Sequence, residues 1–352
     1  MIGGVTPETT RIFEGLSVSD MVGRSGHDLQ ERFGIHGAIE FEEGVGGLIR
    51  AAIVAPGAEA HVYLHGAHVT HFQRRGEAPL LFLSPRSAFA PGKAIRGGVP
   101  IVFPWFGASP DMLAAPQHGF ARVAEWMVES AGREPGGETF IALGLAASAA
   151  TRSFWPGHFR LRYRVRVGDS LDLALEVTND GAEAFAFQEA LHGYLAVSHV
   201  ASAWVTGLED TAFIDKTDGM RRAQHGREAL RLTGETDRVF LGTSAACTVQ
   251  DPGAGRRLTI VKSGSRSTIV WNPWAEKAAT MADLGPEAWR GMLCVEAGNV
   301  ADDVQRLAPG ERHELRATIT AGPCAGTQSS DADAPAAIAR SDPPSGAGAA
   351  PG

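Results

Sequence analysis

The nine residues Phe159-Arg-Leu-Arg-Tyr-Arg-Val-Arg-Val167 constrain the fold more than any other stretch of the chain. Apolar side chains occupy every second position and arginines fill the positions between. A period of two puts one set on each side of a β-strand, whereas on a helix the arginines would be scattered around every face. After Gly168-Asp169-Ser170 the same alternation resumes in Leu171-Asp-Leu-Ala-Leu-Glu-Val-Thr178 and stops at Asn179-Asp-Gly181, which reads as a hairpin. Further short strands are expected at Leu48–Val54, at Ala60–His65 and His68–Phe72 around a Gly-Ala turn, and at Ala124–Ser130 and Thr139–Ala146 around a Gly/Pro-rich turn. Arg256–Val261, Ser267–Trp271, Gly291–Glu296 and His313–Thr320 continue the pattern. Long amphipathic helices are missing, and a helical period is weak even in Ser17–Phe33, where Leu29 and Phe33 stand four apart. Many short strands with Gly, Pro and Asn turns imply an all-β chain, a large antiparallel β-sandwich with few short helices.

The strand pattern fills residues 37–321 without an internal linker or repeat, so that span is expected to form one domain, with residues 1–36 as an N-terminal extension. Residues 322–352 are dominated by Ala, Pro, Gly, Ser and Asp; they carry too little apolar surface to offset their ordering entropy and are expected to be disordered. A formal charge of −8 argues against a nucleic-acid partner, which would demand a basic excess. Any attraction for an anionic ligand must therefore be local. Three cysteines, Cys247, Cys294 and Cys324, have neither a disulfide-type count nor metal-type spacing. With no evident signal peptide and no apolar run long enough to span a bilayer, a cytoplasmic monomer without a membrane partner is expected.

Chemistry concentrates in residues 93–122. Lys93-Ala-Ile-Arg96-Gly-Gly-Val-Pro100-Ile-Val-Phe-Pro-Trp-Phe-Gly107 is followed, after a short loop, by Gln117-His118-Gly-Phe-Ala-Arg122. An apolar aromatic run flanked by two arginines suits a pocket with an anion held at its mouth, since a guanidinium grips phosphate through two parallel hydrogen bonds. Each arginine taken alone reads equally as a surface residue, and His118 alone as a loop residue. His192 lies in an apolar run, Ala184–His192, that reads as a buried strand, and imidazole suits proton transfer near neutrality. Glu296 ends the apolar strand Met292-Leu-Cys-Val-Glu296; a carboxylate there is either paired or tuned for catalysis. Asp283 follows the Trp271-Asn-Pro-Trp274 segment and reads as an exposed turn residue or a ligand group, and those tryptophans as core or as sugar-stacking platforms. His61, His65, His68 and His71 have helical metal-site spacing, but their neighbours Val62, Tyr63, Gly66, Val69 and Thr70 favour a partly exposed hairpin.

In order along the chain, these motifs resemble the aldose 1-epimerase superfamily, and more closely the hexose-6-phosphate mutarotases of the glucose-6-phosphate 1-epimerase group. The resemblance rests on Lys93–Pro100, Phe103–Gly107, His118–Arg122, His192-Gly-Tyr194, Gly207-Leu208 through Ile214-Asp-Lys216, and Thr236-Asp-Arg-Val239. It continues through Trp271–Trp274, Lys277, Met281, Asp283, Trp289 and Met292–Glu296, and covers residues 37–321. It implies a galactose-mutarotase-like supersandwich and the interconversion of α and β anomers of hexose 6-phosphates. Glu296 matches the family's catalytic base, His192 its general acid and His118 its second active-site histidine. Arg96 and Arg122 match the phosphate-linked arginines, and Asp283 a sugar-hydroxyl ligand. The chemistry implied requires no metal and no other cofactor. Gly193 and Leu195 stand where the family commonly has Thr or Ser and Phe. A mutarotase for unphosphorylated aldoses and a non-catalytic carbohydrate-binding protein on the same scaffold are the alternatives.

Overall fold

The computed structural model describes residues 25–324. Four antiparallel sheets account for most of it. Ile39–Glu43, Ile49–Ala55, Ala58–Tyr63 and His68–Arg74 form a four-stranded meander. A nine-stranded sheet runs in the order 230–231, 204–206, 247–251, 256–263, 312–323, 171–179, 159–167, 139–146, 127–133. An eight-stranded sheet runs 221–224, 212–215, 236–240, 267–272, 292–299, 189–191, 101–102, with Tyr194–Ala196 also paired to Met292–Asn299. Phe185–Phe187 pairs with Gln305–Leu307.

The alternating hairpin forms as its sequence dictates. Phe159–Val167 and Leu171–Asn179 pair in register from Phe159 opposite Asn179 to Val167 opposite Leu171, leaving a three-residue loop. Inward residues such as Leu161, Tyr163, Val165, Leu173 and Leu175 are buried, in one continuous core with Trp271, Leu293 and Tyr194 of the eight-stranded sheet. That shared core makes the two large sheets a sandwich. The outward arginines pair with carboxylates, Arg160 with Asp180, Arg162 with Glu129, Arg164 with Glu134 and Arg166 with Asp172. Exposed pairs of this kind contribute little stability each, ~0–1 kcal/mol, and serve mainly to keep that face wet.

Three details differ from the sequence reading. The run expected as one buried strand, Ala184–His192, is two short strands, 185–187 and 189–191, because Gln188 turns out to bond Pro104 and Ala301. The histidine hairpin exists, with a register shift between His61 and Val62, but His65 and His68 are buried instead of partly exposed. Their imidazoles contact the carbonyls of Lys93 and Gly97, each at 2.7 Å, so the hairpin props up the arginine-bearing loop. Of the weak helical stretch, Gly26–Phe33 forms a helix capped by Ser25; Leu29 is buried and Gln30 accepts from Phe41 N. The remainder of that stretch and the residues after Cys324 lie outside the described residues. The last strand runs to Pro323.

Candidate active site

Register places the site. In the eight-stranded sheet Asp237 sits opposite Trp271, Trp271 opposite Cys294, and Cys294 opposite Tyr194. Glu296, two residues beyond Cys294, leaves the same face of its strand. The neighbouring strand ends at Leu191, opposite Ala297, so His192 arrives beside Glu296. His192 Nε2 stands 3.3 Å from Glu296 Oε1. Its ring is stacked on Tyr194, with centroids 4.8 Å apart and planes 10° from parallel, and Trp271 meets it edge-on. Both carboxylate oxygens of Glu296 and Nδ1 of His192 are buried without a hydrogen-bond partner.

The residues 96–122 come in over this pair. Gly98 has φ +62°, and a Cβ there would fall 2.2 Å from Val69 O, so only glycine lets the loop lie against the histidine hairpin. Gly119, at φ +75°, passes closer still: a Cβ there would fall 1.8 Å from Phe103 O. His118 between them takes φ +61°; its Nδ1 accepts from Gly107 N at 3.3 Å and its ring meets Phe106 and His192 edge-on. His192, His118 and Glu296 therefore converge, with Arg96, Gln117, Lys216 and Asp237, on an open cleft of about 510 Å³. Helix Trp274–Thr280 supplies Lys277 and Thr280 to its rim.

Arg96 donates from Nε and Nη2 to Asp283 Oδ2 at 3.0 and 2.9 Å, and from Nη1 to the Tyr194 hydroxyl at 2.9 Å. Asp283 is thus engaged by Arg96, and Asp237 is the carboxylate lining the cleft, 2.9 Å from Lys216 Nζ. The Arg122 Nε is buried with no hydrogen-bond partner. Sequence reasoning passed over Gln117, Lys216 and Asp237 as site residues. They stand inside the quoted motifs, but only the pairing of Asp215 with Arg238 and Asp237 with Trp271 shows which of the polar residues face inward. Gly193, where the resemblance would lead one to expect Thr or Ser, needs no special backbone; a Cβ there would make only ordinary contact with Val295 O, at 3.4 Å.

The electrostatics are those of a buried acid–base pair among cations. Burial pushes the Glu296 carboxyl well above the usual range, with Asp237 adding to the shift and Lys216 and Arg122 opposing it. Burial, then Arg122 and Arg96, hold His192 well below its ordinary value. His118 is depressed by burial, Arg122 and His192. Burial lowers Arg122 to about 10. Burial also works against the charge on Arg96, but Tyr194 and Asp283 more than offset it. An arrangement of this kind can move one proton to and one proton from a single small ligand.

Comparison with known proteins identifies the family of the chain. The aldose 1-epimerase family profile matches residues 52–320. A protein named "Putative glucose-6-phosphate 1-epimerase" from Cenchrus ciliaris is 34% identical over 272 residues, 75% of this chain and 82% of that protein. One of the same name from Escherichia coli K12 is 30% identical over 264 residues, 75% of this chain and 87% of its own length. The crystal structure of a "putative mutarotase" from Salmonella typhimurium superposes with a TM-score of 0.76 at 29% identity, covering 81% of this chain and 94% of that one. A β-sandwich that buries a carboxyl and an imidazole side by side at the floor of an open cleft, and whose sequence matches over most of its length, belongs to the aldose 1-epimerase family.

Proposed function

We propose that the chain interconverts the α and β anomers of hexose 6-phosphates, glucose 6-phosphate foremost. The observation that carries the reading is the 3.3 Å approach of His192 Nε2 to Glu296 Oε1 at the base of a cleft lined by Arg96, Lys216 and Lys277. Anomers exchange when the ring opens, which requires the C1 hydroxyl to lose a proton while the ring oxygen gains one. The single proton of the resting pair, held by Glu296, passes across the 3.3 Å gap to His192; the ionised Glu296 then takes the hydroxyl proton, the His192 imidazolium protonates the ring oxygen, and the C1–O5 bond breaks. The aldehyde turns about C1–C2 and recloses with the two roles reversed. His118 polarises the ring oxygen or a neighbouring hydroxyl, and Gln117 and Asp237 offer hydroxyl contacts on the cleft wall. Arg96 and Arg122 attract the phosphate, and Asp283 orients Arg96. Without substrate, burial and the arginines keep His192 neutral. A phosphate dianion beside those arginines offsets their charge and favours the imidazolium that ring opening needs. A phosphorylated sugar, and three cysteines without a disulfide, fit a reducing cytoplasm.

One observation favours a second reading. The Arg96 fork is engaged by Asp283 and Tyr194, and the Arg122 Nε is buried, so an unphosphorylated aldose would fit the cleft without rearranging either arginine. Anomer-exchange NMR on glucose 6-phosphate and on glucose, with the wild type and Glu296→Gln, separates the two. Catalysed exchange of the phosphosugar, lost in the variant, is expected. Equal catalysis of both sugars transfers the assignment to free aldoses, and near-normal exchange in Glu296→Gln removes the mechanism.

A further inference from the structure

Cys294 is a fully buried group behind the His192 and Glu296 side chains that line the cleft, and proton transfer leaves it unused. It lies two residues before Glu296 on Met292–Asn299, on the same face, and opposite Tyr194, whose ring stacks on His192. A ring nitrogen of His192, the Cys294 sulfur and a Glu296 carboxylate oxygen all lie within 4.8 Å of one another. The backbones beneath them are fixed by sheet hydrogen bonds, Leu191 opposite Ala297 and Tyr194 opposite Cys294. Both Glu296 oxygens and His192 Nδ1 are buried without a hydrogen-bond partner, so the carboxylate of this set stands unsatisfied.

We propose that His192, Cys294 and Glu296 form an inhibitory Zn²⁺ site built into the catalytic floor. Nitrogen, thiolate sulfur and carboxylate oxygen are the donors zinc prefers, at bonds of about 2.0–2.3 Å, which places neighbouring ligand atoms of a tetrahedron about 3.3–3.8 Å apart. His192 and Glu296 meet that spacing already, at 3.3 Å. The thiol completes it by a side-chain adjustment of about 1 Å. The fourth vertex faces the cleft that His192 and Glu296 line, open to a water or a sugar oxygen. Mg²⁺ and Ca²⁺ require six or more oxygen ligands and do not suit the set. On binding, the Cys294 S–H bond breaks, a sulfur–zinc bond forms and the proton leaves to solvent, as does any proton held on the Glu296 carboxyl. Thiolate and carboxylate together balance the charge of the ion; Arg122 and Lys216 oppose it and keep the site reversible. The bound metal takes the acid and the base at once and competes with the sugar for the same space.

The test uses the full-length protein and the metal alone, with Co²⁺ as an optical probe for zinc. One equivalent of Co²⁺ is expected to produce a thiolate-to-metal charge-transfer absorption that Zn²⁺ displaces, that glucose 6-phosphate diminishes, and that is absent from Cys294→Ser and Cys294→Ala. In the exchange assay Zn²⁺, and not Mg²⁺, inhibits, and Cys294→Ser raises the inhibitory concentration at least about 10-fold, each protein being measured against its own metal-free rate. Absence of the band, its persistence in folded Cys294 variants, or equal zinc sensitivity of Cys294→Ser and wild type overturns the site. Where circular dichroism shows the variants unfolded, the wild-type competition decides: a band that saturating glucose 6-phosphate leaves untouched overturns the proposal. The inhibition arm rests on the anomer-exchange reading. So does the glucose 6-phosphate competition; the band itself and its loss in folded Cys294 variants do not, so an inactive protein whose thiolate band disappears in those variants would remove the anomer-exchange reading and leave the metal site standing.

Discussion

Glu296 is a carboxyl with no bond to lose. Its two oxygens are buried and accept no hydrogen bond, so replacing it with Gln removes a charge that burial disfavours without orphaning a donor. Glu296→Gln is therefore expected to lower anomer exchange by about 10²–10⁴-fold, the usual weight of one proton-transfer group, while its melting temperature stays level or rises. The sign of the pH dependence follows from the raised value. The folded state holds the proton more tightly than the unfolded chain, so this contribution to stability is present at low pH. It is lost as pH rises from the unfolded value of about 4.3 through the folded one, and that slope disappears in the variant. His192 gives a second prediction. Because Arg122 and Arg96 help to hold it down, a bound phosphate should raise the limb it controls in the pH profile of kcat above the same limb in kcat/KM. The difference should shrink with glucose as substrate; identical profiles for the two sugars would show that the arginines do not sense the phosphate. The sequence could single out Glu296 and His192 as candidates because a Glu and a His inside apolar runs demand a reason; that they stand side by side is seen only in the fold. Asp237 and Asp283 were not distinguishable there, since neither Thr236-Asp237-Arg238 nor the segment around Asp283 carries a local mark of facing a cleft. Strand register and the competing Arg96 ion pair decide between them.

The histidine hairpin, Ala58–Tyr63 with His68–Arg74, shows how one element positions another. His68 is fully buried, is held neutral by burial to about 3, and contacts the Gly97 carbonyl next to Arg96. His68→Ala leaves that carbonyl without its partner, at a cost of about 1–3 kcal/mol, and frees the loop that aims Arg96. Denaturant unfolding should show the loss, and KM for glucose 6-phosphate should rise more than kcat falls. The depressed value has its own consequence. The folded state refuses a proton that the unfolded chain accepts, so stability is present above the unfolded value of about 6.5 and is lost as pH falls through it. His68→Gln keeps a donor toward Gly97 and cannot titrate, so it should lose less stability than wild type between pH 7 and 4. An identical acid profile would show that His68 plays no part. From sequence, the β-branched neighbours of the four histidines identified a hairpin correctly. They could not reveal that two of the four point inward, because period-two alternation is broken by the register shift after His61 and the partner is a loop some thirty residues away.

Across the whole sandwich, the strands were legible and their partners were not. Alternation gave Phe159–Val167 and Leu171–Asn179 together with their hairpin, since that pairing is local. Nothing in the chain announced that Arg312–Pro323 would lie between strands 171–179 and 256–263. That placement brings His313, in the nine-stranded sheet, to the carboxylate of Glu189 in the eight-stranded one, with Nε2 3.2 Å from Oε1 and also 3.2 Å from Asn299 Oδ1. Glu189 is fully buried, on the short strand that ends beside His192, so this cross-sheet pair ties that strand to the opposite layer. Burial lowers His313, but Glu189, with smaller help from the Gly264 carbonyl and Asp303, outweighs it and its value is raised overall; burial raises Glu189 as well. The folded protein therefore binds the His313 proton more tightly than the unfolded chain does. Its stabilisation is complete below about 6.5 and is lost as pH climbs through the raised value. His313→Gln should abolish that slope in denaturant unfolding between pH 6 and 9. Because it strands a buried carboxyl facing no cation, it should also cost about 3–5 kcal/mol at pH 6, where the wild-type pair is intact. The double variant Glu189→Gln/His313→Gln should recover much of that loss. If the double variant were no more stable than the single one, the pair would not be coupled, and the two sheets would be held by their shared apolar core alone.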